Sequence, residues 1–370
     1  MARRRGPGLA GRAITAFLVT ASLSVVCVGE TPRPPACALS RGELTVDDLP
    51  AGSSVLDCLA VGRVVTHAGA GVAVPEPGTT VSVDALTADG SARGFTLAVA
   101  ADGTVSYAYE ADRTEAAARA RADAPAPCAD SAYSTEGRKE YGTYEWFIGD
   151  GPLPGHLSHD EARQVFEDAV ATITTSRNDC GYDDTVTAKG RFLTVTGNEA
   201  GVDREARCTH RDGLSVWDAG DIGGDAVATT CSWSRPVPGG PEELLEADVR
   251  FNTHDFPFTN RPSGGCTHAY DIRSVATHEA GHVFGLGHSG PGHENLTMYA
   301  NSFACSTDAR SLGKGDVLGL RSLYGARVPP STTPTEHILT EHRLTEHRPT
   351  EHGPYPAPPD ASATPSGVRS

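Results

Sequence analysis

Three scarcities narrow the range of functions before any motif is considered. The 370-residue chain carries 31 Lys and Arg against 47 Asp and Glu, a formal net charge of −16, so nucleic-acid binding through a basic surface is not the default expectation. Its one long apolar run, Ala13 to Val28, is shorter than the ~20 residues that a spanning helix needs. Methionine occurs only twice, at Met1 and Met298. We therefore expect no nucleic-acid partner and no stable membrane span.

Cysteine, by contrast, is frequent, with nine residues. Cys27 lies in the apolar run, and the spacing of the others lacks the paired C-x-x-C of a structural zinc site. An even number of remaining cysteines in an exported chain is typical of disulfides, although eight allow about 105 pairings. Our working hypothesis is sequential pairing: Cys37–Cys58, Cys128–Cys180, Cys208–Cys231 and Cys266–Cys305.

The two ends of the chain are predicted to lie outside any folded domain. Residues 1–38 combine an arginine-rich start, the apolar run and several prolines, as a cleaved export signal does, which predicts a secreted, extracellular protein. A lipidated Cys27 is the alternative, and Val26 is a poor residue to precede it. Residues 328–370 contain a five-residue Thr-Glu-His repeat and are predicted to be a disordered tail. Its histidines would gather metal weakly, but a solvated spacer is the favoured interpretation.

Residues 39–110 are predicted to form a small β-rich domain. Apolar and polar residues alternate over 81–85, 94–100 and 104–109, and Asp102-Gly103 lies between the last two runs as a hairpin turn would. This segment carries no recognisable chemistry, so a propeptide, an accessory binding module and a spacer all stay open. Residues 111–127, rich in Ala, Arg and Pro, are predicted to be a linker.

Residues 128–327 predict an α+β domain with a twisted mixed sheet. Ser158 and Glu161 have the spacing of a capping box, and a helical apolar stripe follows them. Strands are predicted over 141–148, 191–196, 214–218, 226–230 and 247–252. Asp271 is positioned to cap a second helix running to about Phe284, and a final helix is predicted over about 315–323.

The chemistry concentrates between Val275 and His288. Residues four apart on a helix share a face, so His278 and His282 can offer two imidazoles to one metal ion, while Glu279 leans over it without binding. His288 can join them only if the chain turns sharply, and Gly285 is the residue able to take the positive φ that this requires. Three nitrogen ligands leave one coordination position for water, which is typical of catalytic zinc.

This spacing, H-E-x-x-H-x-x-G-x-x-H, is the metzincin signature, and Met298 fits the Met-turn that completes it. With Ser289 after the third histidine and the segment Asp316–Gly325, the region resembles the matrixin family of metzincin peptidases, its bacterial secreted members most. The resemblance covers about 190 residues, and says nothing about residues 39–127 or the tail. It implies a secreted zinc endopeptidase acting on protein or peptide substrates, with Glu279 as general base, Met298 beneath the zinc, and Tyr299–Ser302 bordering the specificity pocket. We expect a monomer.

Two features depart from the animal matrixins. Their cysteine-switch motif is absent, and Cys180, which lies in a partial imitation of it, is interpreted as a disulfide cysteine. The loop that holds their structural zinc and calcium is shortened between Asn252 and Asp271. His254, Asp255 and His268 lie there, so calcium or a second metal is an alternative to plain surface residues.

Two other functions are compatible with the sequence. One is a non-catalytic, zinc-stabilised extracellular binding or adhesion module; Glu279 argues against it, because a structural site needs no general base. The other is a latent protease inhibited by its own N-terminal domain.

Overall fold

The computed structural model describes Cys37 and residues 39–91, 93–110, 121–183 and 186–325. The predicted export signal apart from Cys37, residues 111–120 of the predicted linker and the predicted tail all lie outside these described residues.

Three helices and seventeen strands, many of them short, lie wholly within the described residues. The helices are α1 (His159–Thr174), α2 (Ile272–Val283) and α3 (Lys314–Tyr324), and two 3₁₀ turns lie at Pro154–His156 and Asp308–Arg310. The strands are β1 (Leu44–Thr45), β2 (Val64–His67), β3 (Ala70–Ala73), β4 (Thr79–Thr87), β5 (Arg93–Val99), β6 (Val105–Tyr109), β7 (Ser134–Thr135), β8 (Arg138–Lys139), β9 (Tyr144–Gly149), β10 (Gly190–Thr196), β11 (Arg207–Cys208), β12 (Ser215–Gly220), β13 (Ala226–Arg235), β14 (Glu242–Asn252), β15 (Phe258–Thr259), β16 (Tyr270–Asp271) and β17 (Leu286–Gly287).

One mixed sheet organises the fold, in the order β10-β9-β12-β14-β13-β4-β5-β6, with β8 pairing beside β14. Strands β10, β9, β12 and β14 run parallel, and β13 is antiparallel to β14. The predicted α+β class with a mixed sheet is therefore confirmed. The strands of residues 39–110 do not all form a sheet of their own, because β4 pairs with β13 and extends the larger sheet through β5 and β6.

A second sheet, β1-β2-β3-β11, lies within the same compact unit. Its strand β11 comes from the loop before β12, so a segment of the downstream region reaches back to the N-terminal strands. The buried apolar residues accordingly form two clusters. The first, around Trp146, Phe166, Trp217 and Phe251, packs the large sheet against α1 and α2. The second, around Val65, Phe95 and Trp233, packs β4 and β5 against the small sheet.

Local signals explain the helices. Ser158 accepts a hydrogen bond from the Glu161 backbone N–H, and Glu161 Oε2 accepts one from the Ser158 N–H at 2.9 Å, so the predicted capping box is confirmed. The helices α2 and α3 lie within one or two residues of their predicted bounds. Strand β13 is longer than predicted, by five residues, because Cys231–Arg235 continue its antiparallel pairing with β14 and, as far as Ser234, with β4.

All eight cysteines outside the apolar run are paired, as Cys37–Cys58, Cys128–Cys180, Cys208–Cys231 and Cys266–Cys305. The sequential pairing is confirmed, and so is the interpretation of Cys180. Within the described residues, no helix combines the length and the apolarity needed to cross a membrane.

Replacing Ser158 with alanine should lower the free energy of unfolding by about 1 kcal/mol, because the first turn of α1 loses its side-chain cap. Urea unfolding followed by circular dichroism measures the change. Asp160→Ala is the matched control, since Asp160 is exposed in the same turn and its loss should remove only the weaker dipole term of about 0.5 kcal/mol. Equal losses for the two variants would contradict the role given to the cap.

Candidate active site

Helix α2 carries the first part of the site, and its start is held firmly. The Asp271 side chain caps it by accepting from the Ser274 N–H at 2.9 Å, and the Arg310 guanidinium binds the same carboxylate from outside. From Ser274 to Val283 every residue of the helix is buried. A buried helix whose start is fixed in this way holds its side chains in one orientation.

The end of α2 depends on a glycine, as predicted. Gly285 has φ 89°, a conformation that costs an L-residue about 1 kcal/mol or more. A Cβ atom at this position would also lie 2.1 Å from the backbone oxygen of Arg138. The chain can therefore turn here only with glycine, and the turn brings β17 and His288 back beside the helix.

The turn brings the three predicted histidines together. The Nε2 atoms of His278 and His282 lie 3.0 Å apart, and each lies 3.1 to 3.2 Å from Nε2 of His288. Nitrogens bound to one zinc ion at ~2.05 Å with tetrahedral angles would lie ~3.3 Å apart, so the observed spacing fits a shared ion. The three residues are buried, and they form a group able to hold a metal.

The other ring nitrogens fix the orientation of the imidazoles. Nδ1 of His278 donates to the Thr297 carbonyl at 2.8 Å, and Nδ1 of His282 donates to the Leu286 carbonyl at 3.0 Å. With the proton on Nδ1, the Nε2 lone pair faces the common point. Nδ1 of His288 lies 2.8 Å from Oε2 of Glu110, a residue just beyond β6. Each imidazole is thus supported from behind, as metal-binding histidines usually are.

Electrostatics keep two of the three rings neutral. Burial, and then the charge of His288, lower the pKa of His278 to about 3, and the same two causes lower the pKa of His282 well below its usual value. Burial acts in the same direction on His288, but Glu110, Asp84 and Glu136 outweigh it and raise the pKa of His288 to about 9. Neutral imidazoles with lone pairs converging in a dry site favour a cation between them.

Glu279 lies beside this triad and is fully buried. Its Oε2 accepts a hydrogen bond from the Thr230 hydroxyl of β13, while Oε1 has no hydrogen-bond partner among the described residues. Burial raises the pKa of Glu279 to about 8, and the Thr230 hydrogen bond only partly opposes that shift. A carboxyl group with a pKa near neutrality and one unengaged oxygen is suited to accept and release a proton.

Met298 packs directly against the turn of α2 between His278 and His282. A Cβ atom on Gly281 would lie 2.2 Å from the Met298 sulfur, which shows how closely the two approach. Asp316 of α3 holds this turn, because its buried carboxylate accepts the backbone N–H groups of Thr297 at 3.0 Å and Met298 at 3.3 Å. The position of Met298 therefore fits the predicted Met-turn.

A pocket opens next to His278. The side chains that line it include Leu86 of β4, Leu296, Thr297, Asn301, Ser302 and Phe303. Part of the predicted border, Asn301 and Ser302, therefore lines the pocket, and Leu86 comes from the N-terminal segment.

The second predicted metal group is only partly brought together. His254 and Asp255 lie with Asp221 in an exposed group close enough to share an ion, and His268 is not among them. Exposed acidic groups are common without a metal, so the interpretation as surface residues stands beside the metal alternative.

Comparison with known proteins agrees with this geometry. The matrixin family profile matches residues 151–325, which include α1, the sheet strands β10 to β14, the three histidines and α3. This segment is a matrixin domain. The match supports a metalloprotease, and the matrixin family implies zinc as the metal.

Two curated relatives match over shorter stretches. Matrilysin of Rattus norvegicus is 32% identical over 122 residues, which is 33% of this chain and 39% of the relative. Metalloendoproteinase 1 of Glycine max is 44% identical over 59 residues, which is 16% of this chain and 18% of the relative. The chain thus spans less than two fifths of the length of either protein.

The matrixin motif did not reveal three residues at the site. Glu110 and Leu86 lie in the N-terminal strand region, and Thr230 lies in a buried strand with no motif of its own. The only sequence signal for Thr230 is its place in the strand predicted over 226–230. Nothing in the sequence points to Glu110 or Leu86.

Replacing Asp316 with alanine should destabilise the matrixin domain by roughly 3 kcal/mol, because buried N–H groups of the Met298 turn and of Gly313 lose their acceptor. Urea unfolding monitored by tryptophan fluorescence measures this loss. Asp316→Asn, which keeps one acceptor oxygen, should lose less. An unchanged unfolding midpoint for Asp316→Ala would show that the turn does not depend on this carboxylate.

Proposed function

We propose that this chain is a secreted zinc-dependent endopeptidase that hydrolyses peptide bonds in extracellular proteins. The observation that carries the proposal is the convergence of three buried imidazole nitrogens beside a buried carboxylate with one unengaged oxygen. His278, His282 and His288 would hold the zinc ion. Such an ion, when bound, lowers the pKa of water toward ~7 and polarises a carbonyl group.

Glu279 supplies the proton transfer. Its Oε1 accepts a proton from the attacking water, and the same oxygen passes that proton to the leaving amine. The Thr230 hydrogen bond holds the other oxygen, so the carboxylate cannot rotate freely while it does so. The apolar residues around α2 exclude competing water and strengthen these interactions.

The substrate binds as an extended chain. Strand β13 is antiparallel to β14, and within residues 121–325 its other side is the edge of the large sheet beside Glu279. A peptide added to that edge would gain backbone hydrogen bonds, with one side chain in the pocket next to His278. Tyr299–Ser302 form the opposite border of the groove.

The four disulfides support secretion, because such bonds persist in oxidising compartments. A monomeric state and calcium binding stay predictions for this protein.

Replacing Glu279 with glutamine should lower kcat on a quenched fluorescent peptide by about 10²- to 10⁴-fold, because the general base is lost. Zinc content, measured by atomic emission, should stay at the wild-type value, since Glu279 is not a ligand. Chelator should abolish activity, and added zinc should restore it. Both the full chain and protein cut by limited proteolysis between residues 110 and 121 are assayed.

Glu167→Gln is the matched control, because Glu167 lies on the exposed face of α1 and should leave kcat unchanged. Zinc-loaded Glu279→Gln protein with wild-type kcat would refute the mechanism. Stoichiometric zinc with no hydrolysis in any wild-type preparation would favour the non-catalytic binding module instead.

A further inference from the structure

We propose that strand β4 lies in the substrate groove as an internal occupant, and that it keeps the site closed until residues 37–110 separate from the matrixin domain. This inference rests on the proposed function and assigns a regulatory role to a segment with no catalytic chemistry of its own.

The first observation is the pairing of β4 with the edge of β13. The two strands are antiparallel over almost the whole length of β4, from Thr80 opposite Ser234 to Thr87 opposite Ala226. The backbone groups that an incoming peptide would need on this edge already bind β4. Asp84 lies opposite Thr230, the residue that holds Glu279, so the occupied stretch includes the catalytic position.

The second observation is that β4 is also bound on its other side at the catalytic end. The Thr87 N–H donates to the Ala300 carbonyl, and the Ser302 N–H donates to the Thr87 carbonyl, both at 3.0 Å. The bridge between Thr87 and Asn301 is parallel, opposite in sense to the pairing with β13. The chain therefore passes between the two walls of the groove, held by main-chain bonds to each.

The third observation is the division of the β4 side chains. Val81, Val83 and Ala85 point into the second core, with the small sheet. Leu86 belongs instead to the core of the matrixin domain, is 2% exposed, and lines the pocket with His278. A leucine side chain thus occupies the place that we propose for a substrate side chain.

The fourth observation is the burial of the catalytic groups themselves. Glu279 and His282 are 0% exposed, His278 is 1% exposed and His288 is 6% exposed. The carboxylate of Glu110 also covers His288, because it contacts the Nδ1 atom of that ring. An extended polypeptide cannot reach these groups while β4 to β6 are in place.

The disulfides allow residues 37–110 to separate from the matrixin domain. Cys37–Cys58 lies within residues 37–110, and the other three bonds lie within residues 121–325. Within the described residues, no disulfide joins the two parts. A single cut between residues 110 and 121 therefore leaves them associated only through noncovalent contacts, so they can separate.

The test uses the full chain with a site-specific protease sequence placed within residues 111–120. Two quantities are measured before and after the cut: hydrolysis of a quenched peptide, and amide hydrogen exchange of residues 226–235. We expect the intact chain to be slow and β13 to be protected. After the cut, hydrolysis should rise about tenfold or more, because a closed population above about ninety per cent suppresses the rate by that factor.

A cysteine pair at facing positions, Thr80→Cys with Ser234→Cys, supplies the decisive comparison. These positions are cross-strand partners and both side chains are buried, so a disulfide would join β4 to β13. After the same cut, without reductant, the crosslinked protein should stay slow and protected. A rise in hydrolysis equal to that of the uncrosslinked protein would overturn the proposal.

Leu86→Arg tests the pocket in the uncut chain, because a charged side chain cannot stay in this buried place. It should speed both hydrolysis and exchange. Ser106→Arg, which adds the same charge at an exposed position on β6, should change neither. If Leu86→Arg protein does not fold, the cut and crosslinked proteins still decide the question.

The two readouts separate this inference from the proposed function. If the cut releases the exchange protection of β13 but neither the intact nor the cut chain hydrolyses peptide, β4 closes the groove and the endopeptidase proposal fails alone. A Glu279→Ala chain should show the same release of protection. If the intact wild-type chain hydrolyses peptide as fast as the cut chain while β13 stays protected, β4 is not an inhibitor and the endopeptidase proposal stands.

Discussion

The convergence of three imidazole nitrogens on one point is the constraint on which the rest of the structure depends. Three buried imidazoles with Nε2 atoms about 3 Å apart crowd one another, so each ring needs a partner that holds it there. Two of these partners are the carbonyls of Leu286 and Thr297. The first lies in place because Gly285 turns the chain, and the second because Asp316 binds the turn that contains Met298. The turn at Gly285 and the carboxylate of Asp316, although far apart in sequence, thus both orient the imidazoles.

The burial of the site affects both the proposed catalysis and its proposed inhibition. A dry environment raises the pKa of Glu279 and keeps His278 and His282 neutral, which suits metal binding and proton transfer. The same dryness, however, comes partly from β4 and Glu110, which cover the site. The large sheet is therefore continuous across what would be the substrate groove of the matrixin domain.

Much of the fold and the core of the candidate site could be predicted because their determinants are local. Asp271, Gly285 and the histidines lie within an eighteen-residue stretch, so helical geometry and one glycine turn are enough to place them. The capping box of α1 and the hairpin at Asp102-Gly103 are local in the same sense.

Long-range contacts could not be predicted in this way. The alternation in β4 showed that the strand has two faces, but not that one of its edges pairs with β13, where Thr230 lies opposite Asp84 although the two are 146 positions apart. Glu110 and His288 are separated by 178 positions. Such pairings depend on which surfaces remain unpaired once the local elements have formed, and a single sequence does not encode that directly.

The pairing of β4 with β13 also explains why one strand can both stabilise and inhibit. An unpaired β13 edge would be long and open to association with other chains, and β4 removes that hazard. While the two parts belong to one chain, β4 competes with substrate as an intramolecular ligand, at an effective concentration on the order of millimolar. A substrate of similar affinity at micromolar concentration cannot displace β4 against this effective concentration. Once the chain is cut, the same contacts become a bimolecular equilibrium, which dilution shifts toward the open groove. Inhibition therefore needs no residue that binds the metal, which fits the absence of a cysteine switch in this sequence.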